Sequence, residues 1–503
     1  MSIILVSIEY RSMGMDGAVR LDGLKEAAAT VDAAALDEAR FGFARAHPQR
    51  SARRVLFYTQ ALALAALITA FVFAARSAPT LTFATLHITA LVIFAAAIFV
   101  RLIAAASLTP LLSRLADQSD VPVYTILCPL YREANVAPDL VAALGRIDYP
   151  PEALDIKLIV EGDDVDTIAA AVAVSGPAHI EVVIVPACAP RTKPKALNAG
   201  LARARGEFVV VYDAEDRPHP QQLRAALAAF EDGGPSLACV QAPLSIDNAD
   251  ASWISRQFAA EYAIQFREVL PLLAHLNLPL PLGGTSNHFR TEILRQAGGW
   301  DPHNVTEDAD LGYRLSRDGY RIDVIGPPTM EEAPVTFGAW LNQRTRWIKG
   351  HLQTWLVLMR DPVRTAREMG LPAFCAMQLI FATGLVAAFA HGPLAFILLT
   401  ALLTPYDLLT IADFALAVAG YCVAIFAALT ACALSGSLSH ARAALTMPLY
   451  WPLASIAAYR ALFELFLRPH HWDKTEHGVS ARQRFHFPAS PARIIAEPAH
   501  TRA

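Results

Sequence analysis

Two acidic loops are the part of this sequence best suited to chemistry. Asp163–Asp164 and Asp213–Asp216 each follow directly on a short apolar run. In an open parallel sheet, ligands bind outside the carboxyl ends of the strands. Carboxylates at that edge suit a hard cation such as Mg²⁺ or Mn²⁺ and, through it, a polyanionic ligand. An acidic loop considered alone is more often a solvated turn or a helix cap.

Two further polar motifs lie later in the chain. Thr306 precedes a stretch with helical spacing, and the structural alternative for Thr306–Asp308 is a cap on the helix that contains Asp310, Leu311 and Leu315. A helix start would also fix the Asp308 carboxylate. Gln343, Arg346 and Trp347 are spaced i, i+3 and i+4, so a helix would present them on one face. An amphipathic helix at a membrane interface is the alternative explanation for the tryptophans of this stretch.

Short apolar runs supply the scaffold that these motifs need. The following runs are predicted to be strands: 123–127, 156–160, 180–185 and 208–212. A helix is predicted at about 136–146, between the first two. Runs of this length, separated by helical stretches, are typical of a parallel sheet covered on both faces. The fold class is therefore an α/β domain inserted between helical membrane segments.

The flanks of this domain are far more apolar than the domain itself. Of the 503 residues, 54% are hydrophobic and 17% charged, which is too apolar for a wholly soluble protein. Val55–Ala75 and Leu81–Val100 are 21 and 20 residues long and uncharged, which predicts a transmembrane hairpin at 55–101. Ala373–Thr404 is uncharged over 32 residues, and we expect the His-Gly-Pro sequence at 391–393 to break it into two helices.

The remaining spans and the arginines predict the topology. Phe414–Leu434 and, more weakly, Ala443–Tyr459 bring the expected count to about six spans, with about four membrane or interfacial helices within 372–467. Arginines before the first span and after the central domain place both flanks in the cytoplasm by the positive-inside rule. The domain and both termini are then cytoplasmic. Residues 1–54 form a lead-in to which no function is assigned.

Charge and cysteine content argue against other classes of protein. The net charge of −4 gives no basic signature, and nucleic-acid binding is not expected. The six cysteines are scattered and include no CxxC pair. That pattern indicates free thiols rather than a disulfide framework or a metal cluster.

In chain order, the motifs of residues 121–355 resemble the GT-A domain of family 2 glycosyltransferases. The resemblance is to the membrane-embedded synthases that include cellulose and hyaluronan synthases. The residues that carry it are Asp163-Asp164, Thr192–Asn198, Asp213–Asp216, Thr306-Glu307-Asp308 and Gln343–Trp347. It implies an inverting, metal-dependent transfer of a sugar from a nucleotide-sugar donor on the cytoplasmic face of a membrane.

For the donor, the resemblance implies contacts from the loops that follow the strands. Asp163 or Asp164 would accept hydrogen bonds from the base or the ribose. Lys193 would reach the phosphates or the base, and Arg346 the diphosphate. The implied donor-binding set is Pro129, Tyr131, Glu133, Asp163, Asp164, Lys193, Asp213 and Arg346.

For the metal, the resemblance implies Mg²⁺ or Mn²⁺ on Asp213 and Glu215. The family motif is Asp-x-Asp, and here the second acid is a glutamate followed by Asp216, which leaves Asp216 as the alternative ligand. The cation would offset the charge that grows on the leaving diphosphate as the glycosidic bond breaks.

For the acceptor, the resemblance makes Asp308 the general base, because an inverting transfer needs one carboxylate within reach of the attacking hydroxyl. Trp347 would stack on the terminal sugar, and the glycines at 283–284 would let the backbone approach it closely. The implied acceptor-binding set is Gly284, Thr285, Glu307, Gln343 and Trp347.

The segment His471–Gly478 resembles in part the gating loop that closes over the donor in cellulose synthases. Trp472, Lys474 and Thr475 carry this resemblance, within a cytoplasmic tail of residues 468–503. A purely structural tail is the alternative. The tail carries no Arg-x-x-x-Arg motif for cyclic-di-GMP, so any such control is expected from a separate subunit.

The sequence therefore favours a processive β-glycan synthase of the bacterial inner membrane that uses a UDP-sugar and makes an exopolysaccharide. The first alternative is a non-processive transferase that adds one sugar to a lipid-linked acceptor. The second is a non-catalytic scaffold of an export or phage-adsorption complex, which the presence of Asp213, Asp308 and Gln343–Trp347 argues against. The expected partners are the donor, a growing glycan or lipid-linked acceptor, the bilayer, and separate export or regulatory subunits.

Overall fold

The chain folds into a mixed α/β domain with apolar helices before and after it. A computed structural model describes residues 28–107, 111, 113–117, 121–404, 409–436, 438–472, 474 and 478. The α/β class predicted from the sequence is confirmed.

Eleven strands form two sheets in the described part of the chain. They are β1 (Ala29–Thr30), β2 (Tyr124–Leu130), β3 (Leu154–Glu161), β4 (Ile180–Val185), β5 (Phe208–Val211), β6 (Arg217–Pro218), β7 (Leu237–Gln241), β8 (Leu244–Ile246), β9 (Asn287–Arg290), β10 (Arg321–Val324) and β11 (Thr329–Glu331). The large sheet has the order β1-β4-β3-β2-β5-β9-β7-β10, and the small one β6-β11-β8. The four predicted strands are β2 to β5, which are parallel as expected. β9 is antiparallel to both of its neighbours. Its four residues are mostly polar and show no strand pattern, so the sequence did not predict this strand.

Sixteen α-helices surround these sheets in the same described ranges. They are α1 (Ala33–Ala46), α2 (Tyr58–Ser77), α3 (Pro79–Ser107), α4 (Ala137–Leu144), α5 (Val165–Val174), α6 (Lys193–Ala202), α7 (Gln222–Gly233), α8 (Trp253–Ile264), α9 (Leu270–His275), α10 (Thr291–Gln296), α11 (Glu307–Arg317), α12 (Phe337–Leu358), α13 (Pro362–Met369), α14 (Leu371–Leu403), α15 (Ile411–Leu434) and α16 (Met447–Leu467). A π-helical turn, Gln265–Val269, joins α8 to α9, and short 3₁₀ segments lie at Pro151–Ala153, Ala249–Ala251 and Leu438–Thr446.

Apolar side chains cover both faces of the large sheet, as predicted. Successive residues of one strand point to opposite faces. Ile126 belongs to the core under α4, α5 and α7, whereas Leu127 belongs to the core under α1, α6 and α11. Every residue of β3 is buried. The sheet is therefore a rigid base from which the loops at its carboxyl edge project.

The described part of the N-terminal lead-in belongs to the domain. β1 adds a parallel strand beside β4, and α1 packs on α6. Further on, Asp301 accepts hydrogen bonds from the Ala52 amide at 2.5 Å and from the Ser51 hydroxyl at 3.1 Å. Residues 28–52 thus complete one edge and one face of the domain.

Four helices are long and apolar enough to cross a membrane, among the residues that the structure describes. They are α2, α3, α14 up to Ala401, and α15. α2 and α3, joined by Ala78 alone, are the two helices of the predicted hairpin at 55–101, whose passage through a membrane stays a prediction. About six spans were expected, and four helices among the described residues qualify by length and composition. α16 is not one of the four.

The predicted break at 391–393 is wrong, because α14 is one helix of 33 residues. Pro393 deprives the Phe389 carbonyl of its helical donor. The Tyr459 hydroxyl lies 3.3 Å from that carbonyl and donates to it, and the Gly392 amide donates to Ser455 Oγ at 2.8 Å. Contacts from α16 therefore satisfy the backbone around the proline, and α14 continues.

Candidate active site

A cavity of about 1720 Å³ opens at the carboxyl edge of the large sheet and extends between the apolar helices. Most of the sequence-predicted site residues line it: Pro129, Tyr131, Glu133, Lys193, Asp213, Glu215, Gly284, Glu307, Asp308, Gln343, Arg346, Trp347, Trp472 and Lys474. Asp163, Asp164 and Thr285 are not part of its lining, and Thr475 lies outside the described residues.

Lys193, the first residue of α6, joins two walls of this cavity. Its ammonium forms an ion pair with Asp213 and donates a 2.7 Å hydrogen bond to the Gly284 carbonyl. Gly284 lies against the candidate base, since a Cβ there would stand 3.2 Å from Asp308 Oδ2. Burial alone would lower the pKa of Lys193, but Asp213, Glu307 and Asp308 raise it above its ordinary value. Lys193 is therefore a permanent cation between the acidic loop and the candidate base.

In the acidic loop, Asp216 points away from the cavity. Its Oδ2 accepts a 2.7 Å hydrogen bond from the Asp213 amide and another from the Thr285 hydroxyl. Asp216 and Thr285 are each 1% exposed, so their hydrogen bonds stabilise the loop from its buried side. Of the three acids, Asp213 and Glu215 are the two that face the cavity.

Glu331, at the end of β11, adds a carboxylate that sequence reasoning missed. Burial raises its pKa well above the ordinary value, and Asp216, Glu215 and Asp213 raise it further. Burial and Asp213 likewise raise the pKa of Glu215 to about 7. A strand of three residues carries no apolar pattern, so nothing in the sequence signalled Glu331. These carboxyls repel one another when ionised, so a bound cation would favour their charged forms.

This donor set fits a divalent cation. Asp213 and Glu215 offer carboxylate oxygens at the cavity wall, and the carboxylate of Glu331 lines the same cavity. Within the described ranges, no group of three or more His, Cys, Asp or Glu side chains is arranged to hold a metal. A cation here would take one or two protein ligands and complete its shell with phosphate and water oxygens, as Mg²⁺ does at nucleotide sites.

Glu307 and Asp308 open α11 at the opposite side of Lys193. Burial and the neighbouring Asp308 raise the pKa of Glu307 to about 8. Burial also raises the pKa of Asp308, while Lys193 and Arg346 act to lower it. Asp308 Oδ1 accepts a 2.7 Å hydrogen bond from the Ala309 amide, which fixes the carboxylate at the helix start.

The predicted capping contact of Thr306 is absent. Thr306 occupies the N-cap position of α11, but its side chain caps no amide. It faces α12 instead, where a Cβ on Gly350 would lie 2.4 Å from Thr306 Oγ1. The close approach that Gly350 permits brings α12 directly over the start of α11.

α12 presents Gln343, Arg346 and Trp347 on one face toward the cavity, as the spacing predicted. Gln343 Oε1 and Arg346 Nε are buried and have no hydrogen-bond partner among the residues described. Burial lowers the pKa of Arg346, whereas Glu307 and Asp308 raise it. Two unpartnered polar atoms at the wall of a cavity indicate a site prepared for a polar ligand.

The tryptophans of α12 pack against protein. The Trp347 ring lies 5.6 Å from that of Phe258 on α8. Trp340 Nε1 donates to the Tyr450 hydroxyl on α16 at 2.6 Å, and Trp355 Nε1 donates to a glutamine of α14. α12 therefore lies between the domain and the C-terminal helices, and these contacts explain the tryptophans without a membrane surface.

The segment after α16 returns to the cavity. The Arg346 guanidinium lies over the Trp472 ring at 4.3 Å from its centroid, and Lys474 forms an ion pair with Glu133. Lys349 holds the segment in place by donating to the His471 carbonyl at 3.0 Å. Both described residues of the candidate gating loop thus border the donor side of the site.

The two aspartates after β3 have separate partners. Asp164 caps α5 by accepting from the Thr167 amide at 3.3 Å, and it also accepts from the Arg132 amide. The helix-cap alternative therefore holds for Asp164. Asp163 pairs with Arg191 at 2.7 Å, and Arg191 lines the cavity. Sequence reasoning missed Arg191, although its position two residues before Lys193 places a second cation at the same loop.

Comparison with known proteins gives a consistent picture for the central part of the chain. Residues 122–350 match the family model described as glycosyltransferase like family 2. A beta-monoglucosyldiacylglycerol synthase of Synechocystis sp. (strain ATCC 27184 / PCC 6803 / Kazusa) is 26% identical over 286 residues, covering 55% of this chain and 58% of that protein. Glucomannan 4-beta-mannosyltransferase 2 of Arabidopsis thaliana is 26% identical over 258 residues, covering 50% of this chain and 48% of that protein.

Among solved structures, the mannosyltransferase PcManGT from Pyrobaculum calidifontis, in complex with GDP-Man and Mn²⁺, has a TM-score of 0.45 at 19% identity. That match covers 71% of this chain and 96% of the solved chain. The chain spans about half the length of the curated relatives it matches, 58% and 48% for the two named above.

Proposed function

We propose that this chain, whose residues 122–350 match the glycosyltransferase family 2 model, transfers a sugar from a nucleotide-sugar donor to an acceptor hydroxyl with inversion at the anomeric carbon. The observation that carries the proposal is the position of Lys193, paired with Asp213 and hydrogen-bonded to Gly284 beside Asp308. Asp213, which could bind a cation, and Asp308, which could accept a proton, therefore line the same cavity on either side of Lys193.

The donor diphosphate would lie between the acidic loop and α12. Asp213 and Glu215 would hold Mg²⁺ or Mn²⁺, which supplies positive charge to the leaving diphosphate. Lys193 and Arg346 place two further cations beside the same position. Trp472, stacked on Arg346, would close this side and exclude water from the reacting bond.

Asp308 would accept the proton of the attacking hydroxyl. As the acceptor oxygen bonds to the anomeric carbon, its proton passes to the Asp308 carboxylate. The bond from that carbon to the phosphate oxygen breaks, and its electron pair leaves with the nucleoside diphosphate. The raised pKa of Asp308 suits a base that works closer to neutral pH. Glu307, with its pKa raised to about 8, keeps its proton at pH 7 and adds no second negative charge.

Four apolar helices associate this domain with a membrane, and the arginines flanking them favour a cytoplasmic domain at the bacterial inner membrane. The sequence favoured a processive β-glycan synthase over a transferase that adds one sugar to a lipid-linked acceptor. Curated relatives include one named for the synthesis of a glucosylated diacylglycerol and one named for glucomannan, a polysaccharide. The size of the product separates the two.

The test is incorporation from a panel of radiolabelled UDP- and GDP-sugars by the purified protein in proteoliposomes containing Mn²⁺ or Mg²⁺, with Asp308→Asn as the control. Labelled product from one donor, lost in the variant, is the expected result. Turnover of no donor by the folded protein would overturn the proposal and return weight to the scaffold alternative.

A further inference from the structure

The cavity does not end at the candidate site but continues between α3, α14 and α15. Beyond Trp347 its walls are formed by aliphatic side chains, among them Leu91, Ile98, Leu398 and Ala417. All four belong to helices long and apolar enough to cross a membrane. One continuous space therefore joins the carboxylates of the site to the hydrocarbon region.

The membrane part of the cavity is long. Along α3 the lining runs from Arg101 to His87, which is 14 residue steps or about 21 Å of helix. The Arg101 end adjoins the domain, because Ala105 packs with Ala260 of α8. The space thus reaches past the middle of a hydrocarbon core that is about 30 Å thick.

The chemistry of these walls suits hydrocarbon better than a glycan. Between Arg101 and His87, the α3 residues that line the cavity carry no side-chain hydrogen-bonding group: Ala90, Leu91, Phe94, Ala97, Ile98 and Val100. Beyond Phe94, where Ala90, Leu91, Leu394 and Leu398 line the cavity, each sugar of a glycan would bury hydroxyls without partners, at a cost of the order of 1–3 kcal/mol each. A hydrocarbon chain loses nothing in the same place.

Polar groups lie at both ends of this stretch, and those near the domain reach as far as Phe94, whose ring lies 6.0 Å from that of His391. At the end near the domain, the Arg101 guanidinium lies over Trp451 at 5.4 Å, and the rings of His391 and Tyr421 pack on the same tryptophan. At the far end, His87 Nε2 and Asp413 Oδ1 are 2.7 Å apart. The cavity thus has polar groups next to the candidate site and an aliphatic part farther away. This arrangement suits an amphiphile, which has a polar headgroup and hydrocarbon chains.

The volume leaves room for two ligands. Pockets that hold one small molecule usually measure about 300–1,000 Å³. The cavity measures about 1720 Å³, so a nucleotide-sugar in the catalytic part leaves the membrane part free for a second occupant.

We infer that the acceptor is a membrane lipid, with a headgroup hydroxyl at Asp308 and its hydrocarbon chains in the apolar part of the cavity. This rests on the proposed function and names the acceptor class of the same site. It favours the addition of one sugar to a lipid over the extrusion of a polymer through the helices.

The test fills the apolar part and compares two neighbouring residues of α15. Ala417 lines the cavity, whereas Val418, the next residue of α15, is not part of the lining and is 62% exposed. Ala417→Trp and Val418→Trp are purified in nanodiscs with a photoactivatable diacylglycerol and assayed for crosslinking and for sugar transfer to dioleoylglycerol. We expect Ala417→Trp to lower both about tenfold or more, which corresponds to 1.4 kcal/mol or more, and Val418→Trp to change them less than about twofold.

Equal crosslinking of both variants, or sugar transfer to a soluble oligosaccharide in place of the lipid, would overturn the inference. Titration of the nucleotide-sugar with the purified protein separates this result from failure of the proposed function. A protein that binds the donor but neither crosslinks nor glycosylates the lipid contradicts the lipid acceptor alone. A protein that binds no nucleotide-sugar contradicts both.

Discussion

The guanidinium carbon of Arg346 lies 4.3 Å from the centroid of the Trp472 ring. Arg346 belongs to α12, and Trp472 follows α16, so this contact brings the end of the helical region onto the candidate site. Two residues later, Lys474 pairs with Glu133 on the loop after β2. The segment therefore covers the part of the cavity where the donor is proposed to bind.

Replacing Trp472 with alanine should weaken donor binding. A cation–π contact is worth roughly 0.5–2 kcal/mol, so we expect the donor KM to rise about 2- to 30-fold with a smaller change in kcat. Steady-state kinetics on the purified protein measure this. Trp253→Ala is the matched control, because Trp253 borders no part of the cavity and donates to Thr446 Oγ1 at 2.9 Å. A donor KM that both substitutions leave unchanged would argue against the covering role.

Gly284→Ala should slow the transfer without unfolding the domain. The new Cβ would stand 3.2 Å from Asp308 Oδ2, so the carboxylate must shift by a few tenths of an ångström. Misplacement of about 1 Å can cost a hundredfold in rate, and we expect a fall in kcat of roughly tenfold. Gly338→Ala in the first turn of α12 is the control, since nothing lies within 4 Å of a Cβ there. If kcat and Tm of both variants equal those of the unsubstituted protein, the proposed contact between Gly284 and Asp308 is wrong.

Glu215 and Asp216 should respond differently to substitution. Glu215→Gln should weaken Mn²⁺ binding in the presence of a nucleoside diphosphate by roughly tenfold and leave Tm nearly unchanged, because Glu215 faces the cavity. Asp216→Ala should lower the free energy of unfolding by about 1–3 kcal/mol, because the Asp213 amide and the Thr285 hydroxyl lose their acceptor. Electron paramagnetic resonance titration and thermal melting measure the two effects. The reverse pattern would exchange the roles assigned to these acids.

The transfer rate should fall in acid as Asp308 takes up a proton. A base works only when ionised, and burial raises the pKa of Asp308 above the usual value of about 3.9. The rate should therefore rise with pH through that raised pKa and level off above it. Lys193→Met removes a cation that lowers this pKa, so the acid limb should move to higher pH. A flat profile between pH 4 and 8, or a limb that moves to lower pH, would exclude Asp308 as the titrating base.

The sequence predicted the features that depend on local pattern. Apolar runs gave β2 to β5, and the acids that follow β5 lie at the cavity because parallel strands end at one edge of the sheet. The i, i+3, i+4 spacing placed Gln343, Arg346 and Trp347 on one face of α12.

Features that depend on distant partners escaped prediction. Pro393 reads locally as a helix break, but Tyr459, 66 positions later in the sequence, donates to the carbonyl that the proline leaves free. Thr306 reads as a cap, but α12 approaches it at Gly350. Ala29–Thr30 lacks any strand pattern, and it becomes a strand by pairing with β4, about 150 positions later in the sequence.

Asp308→Asn tests the central claim most directly, because it keeps the shape of the side chain and removes its capacity to accept a proton. Single-turnover transfer of the sugar and the Kd for the nucleotide-sugar are measured on the same preparation. General-base catalysis contributes about 10²- to 10⁴-fold, so we predict a loss of that size in the transfer rate with the Kd within about twofold. Transfer by Asp308→Asn at the rate of the unsubstituted protein would contradict the account.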